Sequence, residues 1–151
     1  APGRPKHVYT LTEKASTLFP KRYGHLISQI LGEVRAQFSS DEVDQMVQRI
    51  GERMAEQANV SVRSDFQARL VAVVEFLDGL GYMAQWEKTD DGGYSLCIAN
   101  CPYEGVSQQE HEVCAIDYAM LTRLLDAPLE RVTSAAEGDR QCAYVIHPPT
   151  E

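Results

Sequence analysis

The sequence predicts an α+β fold, in which a helical hairpin and further helices pack on a small antiparallel sheet made of two β-hairpins. Stretches in the first half of the chain place apolar residues at helical spacing, and two segments in the second half have a strand, turn, strand pattern. With 151 residues, of which 44% are hydrophobic, the chain can bury one sizeable core without disulfides or a metal to stabilise it.

The first half contains the helical patterns. Two amphipathic stretches, residues 23–38 and 43–54, are separated by a break at residues 39–41 and predict the helical hairpin. Their apolar positions are Tyr23, Leu26, Ile27, Ile30, Leu31, Val34 and Phe38, then Val43, Met46, Val47, Ile50 and Met54. A further helix is predicted from about Asp65 to Leu80, opened by a capping box of Ser64 with Gln67.

The second half begins with a predicted hairpin over residues 82–101. Its turn is the sequence DDGG, because tight turns need glycine and aspartate, and Cys97 and Cys101 are predicted on its second strand. A capping box of Ser107 with Glu110 then predicts a helix from about Gln108 to Leu125. The inward face of this helix is predicted to carry Cys114, Tyr118, Leu121 and Leu125. A second hairpin turns at residues 137–140, and its last strand has Cys142, Tyr144 and Ile146 on one side.

The charge distribution divides the chain into a basic head and an acidic body. The net charge is −8, yet the first 22 residues carry one acid, Glu13, against the basic residues Arg4, Lys6, Lys14, Lys21 and Arg22. An acidic body repels phosphate, so we expect any contact with nucleic acid to be made by the head. A solvated basic tail is the alternative explanation.

The sequence also bears on the compartment. It has no apolar run near the roughly 18 residues that a membrane span needs, and its first residues lack the apolar core of a signal peptide, so we expect a cytoplasmic protein without a membrane partner. Cysteines in a reducing cytosol remain thiols, which favours metal or redox use. Two disulfides are the alternative.

Three of the four cysteines lie close together in CIANCPYEGVSQQEHEVC, residues 97–114, and Cys142 follows far downstream. Thiolates select zinc or iron–sulfur clusters, and four of them would connect the two hairpins to the helix between them. The spacing alone is equally compatible with buried, inert thiols. His111, one turn before Cys114, either completes a three-cysteine site or is a solvated residue.

The sequence gives little support to an enzyme. Cys114 and His111 could be imagined as a nucleophile and its base, but residues three apart on one helix do not point at a common substrate atom. Gly92 and Gly93 lie in a hairpin turn, so they do not form a phosphate-binding loop. We therefore expect no catalytic residues.

Two motifs carry a resemblance to a known family. The opening GRPKHVYTLTEKASTLFP resembles the wing, with its short strand, and the following helix of ArsR-like winged-helix transcription factors, although Ala15 stands where many members have glycine. The second motif comprises CPY, twelve residues between Cys101 and Cys114, and GDRQCAYVI around Cys142. It resembles the sensor half of ArsR/DeoR-like regulators, in particular the iron–sulfur-responsive repressors of the SUF operon, and is more weakly similar to vinyl-reductase-type sensor domains.

The resemblance implies a division of the chain and a function. Residues 1–20 would be the remnant of the winged-helix DNA-binding domain, whose recognition helix would precede Gly3, and residues 21–151 the dimerisation and effector-sensing domain. Arg4 and Lys6 would contact the DNA backbone. The protein would be a homodimeric transcriptional regulator that responds to a metal, an iron–sulfur cluster or a small ligand. The alternative is a stand-alone, cysteine-dependent metal- or ligand-binding module without a DNA role.

The resemblance also implies a set of ligands. Cys101, Cys114 and Cys142 match the family's motif and would hold an iron–sulfur cluster, with zinc as the alternative. Cys97 does not match the motif, so the fourth ligand would be either Cys97 or His111.

Overall fold

The structure, a computed structural model, describes residues 3, 7–10, 12–60 and 65–148. Along the chain, its elements are α1 (Glu13–Ser16), α2 (Tyr23–Gln37), α3 (Ser40–Glu56), α4 (Phe66–Gly79), β1 (Ala84–Lys88), β2 (Tyr94–Ile98), α5 (Glu104–Ser107), α6 (His111–Leu125), β3 (Leu129–Thr133), a 3-10 turn (Ala135–Glu137) and β4 (Cys142–Ile146). Within these residues the predicted α+β fold is confirmed, because helices accompany a four-stranded antiparallel sheet.

The sheet consists of the two predicted hairpins, joined at their second strands. The strand order is β1-β2-β4-β3, and every neighbouring pair is antiparallel. Gly92 has a φ of +84° in the first turn, where the Asp91 carboxylate accepts a hydrogen bond from the backbone N–H of Gly93 at 3.2 Å. Gly138, with a φ of +103°, follows the 3-10 turn of the second hairpin. Both turns therefore use glycine where the backbone is left-handed.

One face of the sheet is covered by α4 and α6, and this layer is the hydrophobic core. Its buried residues alternate along the strands, as expected for a sheet with one covered face. The buried core residues of the sheet and of these two helices are Leu70, Val73, Leu77, Ala84, Leu96, Ile98, Met120, Leu121, Leu124, Leu125, Tyr144 and Ile146.

The most extensive packing between helices joins α3 to α6. The buried face of α3 repeats every four residues and consists of Val43, Val47, Gly51 and Ala55. A Cβ atom on Gly51 would lie 2.6 Å from the Cβ atom of Ala119 and 2.6 Å from the carbonyl oxygen of Ile116. Contact between the two helix backbones is therefore possible only because residue 51 has no side chain.

The two predicted amphipathic helices are present as α2 and α3, with only Phe38 and Ser39 between them. Ser39 and Glu42 form a capping box that begins α3. Whereas α3 packs on α6, α2 lies against α5 and has no buried residue along its length. Its apolar side chains are consequently far more exposed than those of α3.

The start of α6 differs from the prediction. Ser107 does not cap this helix: it ends α5, and its hydroxyl donates to the carbonyl oxygen of Glu104 at 3.4 Å. Glu110 occupies the N-cap position of α6 without a side-chain capping bond, because its carboxylate accepts a hydrogen bond from Arg35 of α2 instead. The predicted capping box is therefore wrong, and α6 begins at His111.

The helix α4 begins where the sequence predicted a helix. Asp65 is the N-cap residue, and its carboxylate accepts hydrogen bonds from the backbone N–H groups of Gln67 and Ala68. Ser64, the predicted cap, lies outside the described residues.

The predicted strand near the N-terminus is not present in the part that the structure describes. Residues 7–10 have no strand structure, and Val8 and Tyr9 are each 87% exposed. A short strand needs a partner strand to be stable, and the described part of the chain pairs none with it. The following helix, α1, ends at Ser16, well before Pro20. Arg4 and Lys6 lie outside the described residues.

The close approach at Gly51 gives a prediction for stability. Replacing Gly51 with Ala places a methyl group against the backbone of α6, so the helices must separate and the free energy of unfolding should fall by about 2 kcal/mol. Urea unfolding of the purified variant measures this change.

Gly32 of α2 is the matched control, because a Cβ atom there would meet nothing within 4 Å. Gly32→Ala should raise the free energy of unfolding by up to about 1 kcal/mol, since alanine favours a helix over glycine. Equal effects of the two substitutions would show that the α3–α6 contact is not as tight as described.

Candidate functional site

Cys97 does not share a site with Cys142, because the two side chains lie on opposite faces of the sheet. In the β2–β4 pairing Cys97 is opposite Ala143, and Cys142 is opposite Ile98. Paired residues share a face and neighbours along a strand alternate, so Cys142 lies on the helix-covered face with Ile98. The assignment of Cys97 as a fourth ligand is therefore not supported by the fold. Its thiol lies 3.8 Å from the Ser95 hydroxyl, on the same outer face.

The other three cysteines come from three different elements on the covered side. Cys101 was predicted on the second strand, but β2 ends at Ile98 and Cys101 lies in the loop that follows. Cys114 is in the first turn of α6 and Cys142 begins β4. All three are free and partly buried. Cys114, which was predicted on the inward face of its helix, is therefore half-buried and not fully buried.

The thiols of Cys101, Cys114 and Cys142 are close enough for their charges to interact. Burial is the main reason that the pKa of Cys101 is raised, and a negative charge on Cys142 raises it further. Burial likewise raises the pKa of Cys114, and charges on Cys101 and Cys142 add to this effect. The fold therefore brings together three cysteines that come from a loop, a helix and a strand.

Hydrogen-bond donors lie beside two of these thiols. The backbone N–H of Ala135 donates to Sγ of Cys142 at 3.4 Å. A hydrogen bond from the backbone of Tyr103 lowers the pKa of Cys101 against the larger effect of burial. N–H groups that donate to sulfur are typical of thiolates that bind metals or clusters.

Asp117, one turn after Cys114 on α6, adds a buried acid to the cluster. Its carboxylate accepts a hydrogen bond from the Tyr82 hydroxyl at 2.7 Å, and burial raises the pKa of Asp117 to about 6. Its negative charge raises the pKa of both Cys101 and Cys114. Arg131 has the opposite effect on Cys114, whose pKa it lowers.

A cavity of about 520 Å³ opens beside Cys114, between α3, α6 and the second hairpin. His111 lines the same cavity one turn before Cys114, so it remains the fourth-ligand candidate of the sequence prediction. A second cavity, of about 430 Å³, shares His111 with the first and extends toward Arg35. A small ligand entering these cavities would reach the thiol of Cys114.

Ser134 is a further polar group in the cavity wall. It is 2% exposed, and among the described residues its hydroxyl has no hydrogen-bond partner. It precedes Ala135, whose N–H donates to Cys142. A buried hydroxyl without a partner costs free energy, which a bound group that accepts its hydrogen bond would recover.

The donor set fits a thiophilic metal or an iron–sulfur cluster on chemical grounds. Three thiols share one partly buried region, with N–H donors and an unpartnered hydroxyl beside them. Across residues 3, 7–10, 12–60 and 65–148, no three His, Cys, Asp or Glu side chains stand together in the arrangement of a metal site.

The sequence analysis missed Asp117, Ser134 and Tyr82. Asp117 could have been found, because it lies three residues after Cys114 and so shares its helix face. Ser134 and Tyr82 approach the thiols only through the fold, and no local pattern marks them.

His111 and Cys114, the pair considered above as base and nucleophile, line one cavity wall, as residues one turn apart on a helix do. Burial raises the pKa of the Cys114 thiol, which disfavours the nucleophilic thiolate.

Comparison with known proteins does not identify the chain. No protein family matches it. No curated protein matches it either. In the parts of the chain that the structure describes, no helix has both the length and the apolar character needed to cross a membrane.

The raised pKa of Asp117 predicts a pH dependence of stability in the metal-free protein. The folded-state pKa of about 6 lies above the unfolded value, so the folded protein binds more protons between about pH 4 and pH 6, and stability falls as the pH rises through that window. Asp117→Asn keeps an acceptor for Tyr82 without the charge. It should raise the free energy of unfolding at pH 7 by about 2 kcal/mol and have little effect near pH 4.

Denaturant unfolding across this pH range measures the effect, with Asp90→Asn in the exposed turn between β1 and β2 as the control. The control should leave stability nearly constant. A gain for Asp117→Asn that does not vary with pH would contradict a buried, titrating carboxyl group.

Proposed function

We propose that this chain is the effector-sensing and dimerisation region of a winged-helix transcriptional regulator. In this proposal, Cys101, Cys114 and Cys142 hold an iron–sulfur cluster, with zinc as the alternative. The observation that carries the proposal is the mutual interaction of these three thiols, which come from a loop, a helix and a strand. The resemblance of the same three residues to the sensor motif of the family adds to it.

The chain's own residues would prepare the site in three ways. Burial keeps water away from the thiols, the Ala135 N–H and the Tyr103 backbone hold two sulfur atoms in place, and Arg131 offsets negative charge at Cys114. An iron–sulfur cluster would supply a redox-responsive centre, whereas zinc has no redox chemistry and would supply only a structural link. The Ser134 hydroxyl is available to donate a hydrogen bond to the bound group.

The cavity beside Cys114 favours one second candidate, a small ligand bound without a metal. Its volume of about 520 Å³ is in the range of small-molecule sites, and polar groups converge on it from Asp44, Arg131 and Ser134. Such a module could work without DNA. Anaerobic reconstitution with iron and sulfide distinguishes the two functions.

We further propose that the regulator is cytoplasmic and contacts DNA through its basic N-terminal head, where Arg4 and Lys6 would meet the phosphate backbone. The free state of all four cysteines suits a reducing compartment. The excess of acidic residues in the body leaves the head as the part that can approach DNA.

We propose a homodimer formed through α2. The apolar side chains of this helix are exposed to an extent that is unusual for leucine and isoleucine in a helix, with Leu26 at 57% and Ile30 at 54%. Tyr23, Ile27 and Phe38 extend the same surface. A two-fold axis would cover it with the same surface of a second copy, and paired heads would match paired half-sites on DNA.

The ligand assignment predicts different results for the four cysteines. After anaerobic reconstitution with iron and sulfide, Cys101→Ser, Cys114→Ser and Cys142→Ser should each lose most of the bound iron and sulfide, because each removes a thiolate ligand. Cys97→Ser should retain both, because its side chain lies on the other face of the sheet. Metal and sulfide analysis with visible absorption spectra provides the measurement, and a zinc titration is run in parallel.

Cys97→Ser is thus the matched control for the three ligand variants. Equal loss in all four variants would rule out the proposed ligand set. Wild-type protein that takes up neither cluster nor zinc, while all four thiols react freely, would remove the metal function and favour the ligand-binding module.

The dimer is tested on α2 rather than on α3. Met46 and Ile50 of α3 are partly buried, so changing them would disturb the packing of that helix as well as any interface. Leu26→Glu combined with Ile30→Glu should convert a dimer into a folded monomer, because charges on a buried apolar interface are costly. Light scattering gives the mass, and circular dichroism checks that the variant is folded.

Val132→Glu is the control, since Val132 is also an exposed apolar residue, at 52%, but lies on β3. It should leave the mass unchanged. Wild-type protein that remains monomeric at high micromolar concentration would refute the dimer.

A further inference from the structure

The attachment of α2 to the rest of the protein combines two half-buried apolar residues, Leu31 and Val34, with polar contacts. Along α2, which the structure describes throughout, no residue is buried. Near its C-terminal end, Nη1 of Arg35 donates hydrogen bonds to the carboxylates of Glu110 and Glu112, each at 2.8 Å. Both acids lie at the start of α6. One nitrogen atom of Arg35 thus makes two charge-assisted hydrogen bonds that connect α2 to the start of α6.

Glu110 depends on α2 for its hydrogen bonds. Its side chain is only 7% exposed. The Arg35 guanidinium holds the pKa of Glu110 below its usual range, and a hydrogen bond from the Ser28 side chain adds to this effect. Both partners belong to α2. A buried carboxylate without partners is costly, so movement of α2 away from Glu110 would leave an unpaired charge.

A second contact joins the other end of α2 to α5. A Cβ atom on Gly24 would lie 3.2 Å from Cγ2 of Val106, which is buried. Gly24 and Arg35 are eleven residues apart in sequence, so the two contacts hold α2 near both of its ends. α2 therefore lies on one continuous segment of chain, which includes α5 and the first turn of α6.

This segment is bounded by two of the proposed ligands. Residues 102–113 lie between Cys101 and Cys114, and all the contacts just described fall within them: Val106, Glu110 and Glu112. A group bound by both thiols would fix the two ends of the segment at once. The path from the thiols to α2 is then one short stretch of backbone that includes α5.

We propose that residues 102–113 are the docking surface of α2, and that occupation of the thiol site strengthens this docking through the Arg35–Glu110 contact. Arg35 and Glu110 are positioning residues in this scheme: they touch no bound group but transmit its presence to α2, and so to the head that precedes it. The inference rests on the proposed function, since it requires a group at Cys101 and Cys114. Coupling of this kind must be reciprocal, so weakening the docking must also weaken binding at the thiols.

Arg35→Gln tests the coupling, with zinc(II) alone as the probe. The variant keeps all four cysteines and should bind zinc about five-fold or more weakly than wild type, which is the usual range of coupling between sites. Hydrogen exchange of Tyr23–Gln37 provides the second readout. Zinc should slow exchange of this helix in wild type, and should slow it much less in Arg35→Gln at saturating zinc.

Arg49→Gln on α3 is the matched control, because it makes the same charge change at an exposed arginine away from the docking surface. It should behave as wild type in both measurements. A merely structural role for Arg35 would speed exchange of α2 equally with and without zinc and leave the affinity for zinc unchanged.

The outcomes separate the coupling from the function on which it rests. If zinc binds wild type and Arg35→Gln equally and leaves exchange of α2 unchanged in both, the coupling is wrong and the thiol site stands. If neither protein binds zinc or a reconstituted cluster, the proposed function fails and the coupling fails with it.

Discussion

The close approach of α3 to α6 at Gly51 is the contact on which the rest of the structure depends. α6 packs on the sheet with one face and on α3 with another, so it is the element through which every layer is connected. The backbone of α3 meets α6 at Ile116 and Ala119, within a turn of the residues that carry the candidate site. The positions of Cys114 and Asp117 relative to the second hairpin are therefore set by a residue that has no side chain.

The surroundings of the site disfavour the ionised forms of the Cys101 and Cys114 thiols and of the Asp117 carboxyl group. Burial raises the pKa of Cys101, Cys114 and Asp117, and negative charge on Asp117 and Cys142 raises the pKa of the Cys101 and Cys114 thiols further. A cationic group would reverse this balance, because it stabilises the thiolates that the metal-free protein disfavours and releases their protons on binding. Under the proposed function, a bound cation would therefore relieve the repulsion among these groups.

Local sequence patterns predicted most of the helices and strands, whereas the composition of the candidate site depends on long-range pairing. The DDGG turn and the helical spacing of apolar residues gave both hairpins and the bounds of α2 to within one residue, because turns and amphipathic faces are encoded in neighbouring residues. The face of Cys97 depends on the register of β2 with β4, which no short stretch specifies. Glu110 matched a capping box in sequence, yet its carboxylate is engaged by Arg35, a partner that only the fold supplies.

The contrast between α2 and the remaining large helices has a physical consequence for regulation. Many buried apolar contacts hold α3, α4 and α6, and in a close-packed core one contact cannot be changed without disturbing its neighbours. α2 has no buried face and is held by half-buried residues, a few hydrogen bonds and the contact of Gly24 with the Val106 side chain, so we expect its attachment to be weaker than that of the other large helices. A sensor needs both properties: a rigid body that positions the thiols, and one element whose position a bound group can bias. In the proposed regulator, where the exposed apolar surface of α2 forms the dimer contact and α2 follows the basic head, a change in its docking would alter the dimer contact and the spacing of the heads together.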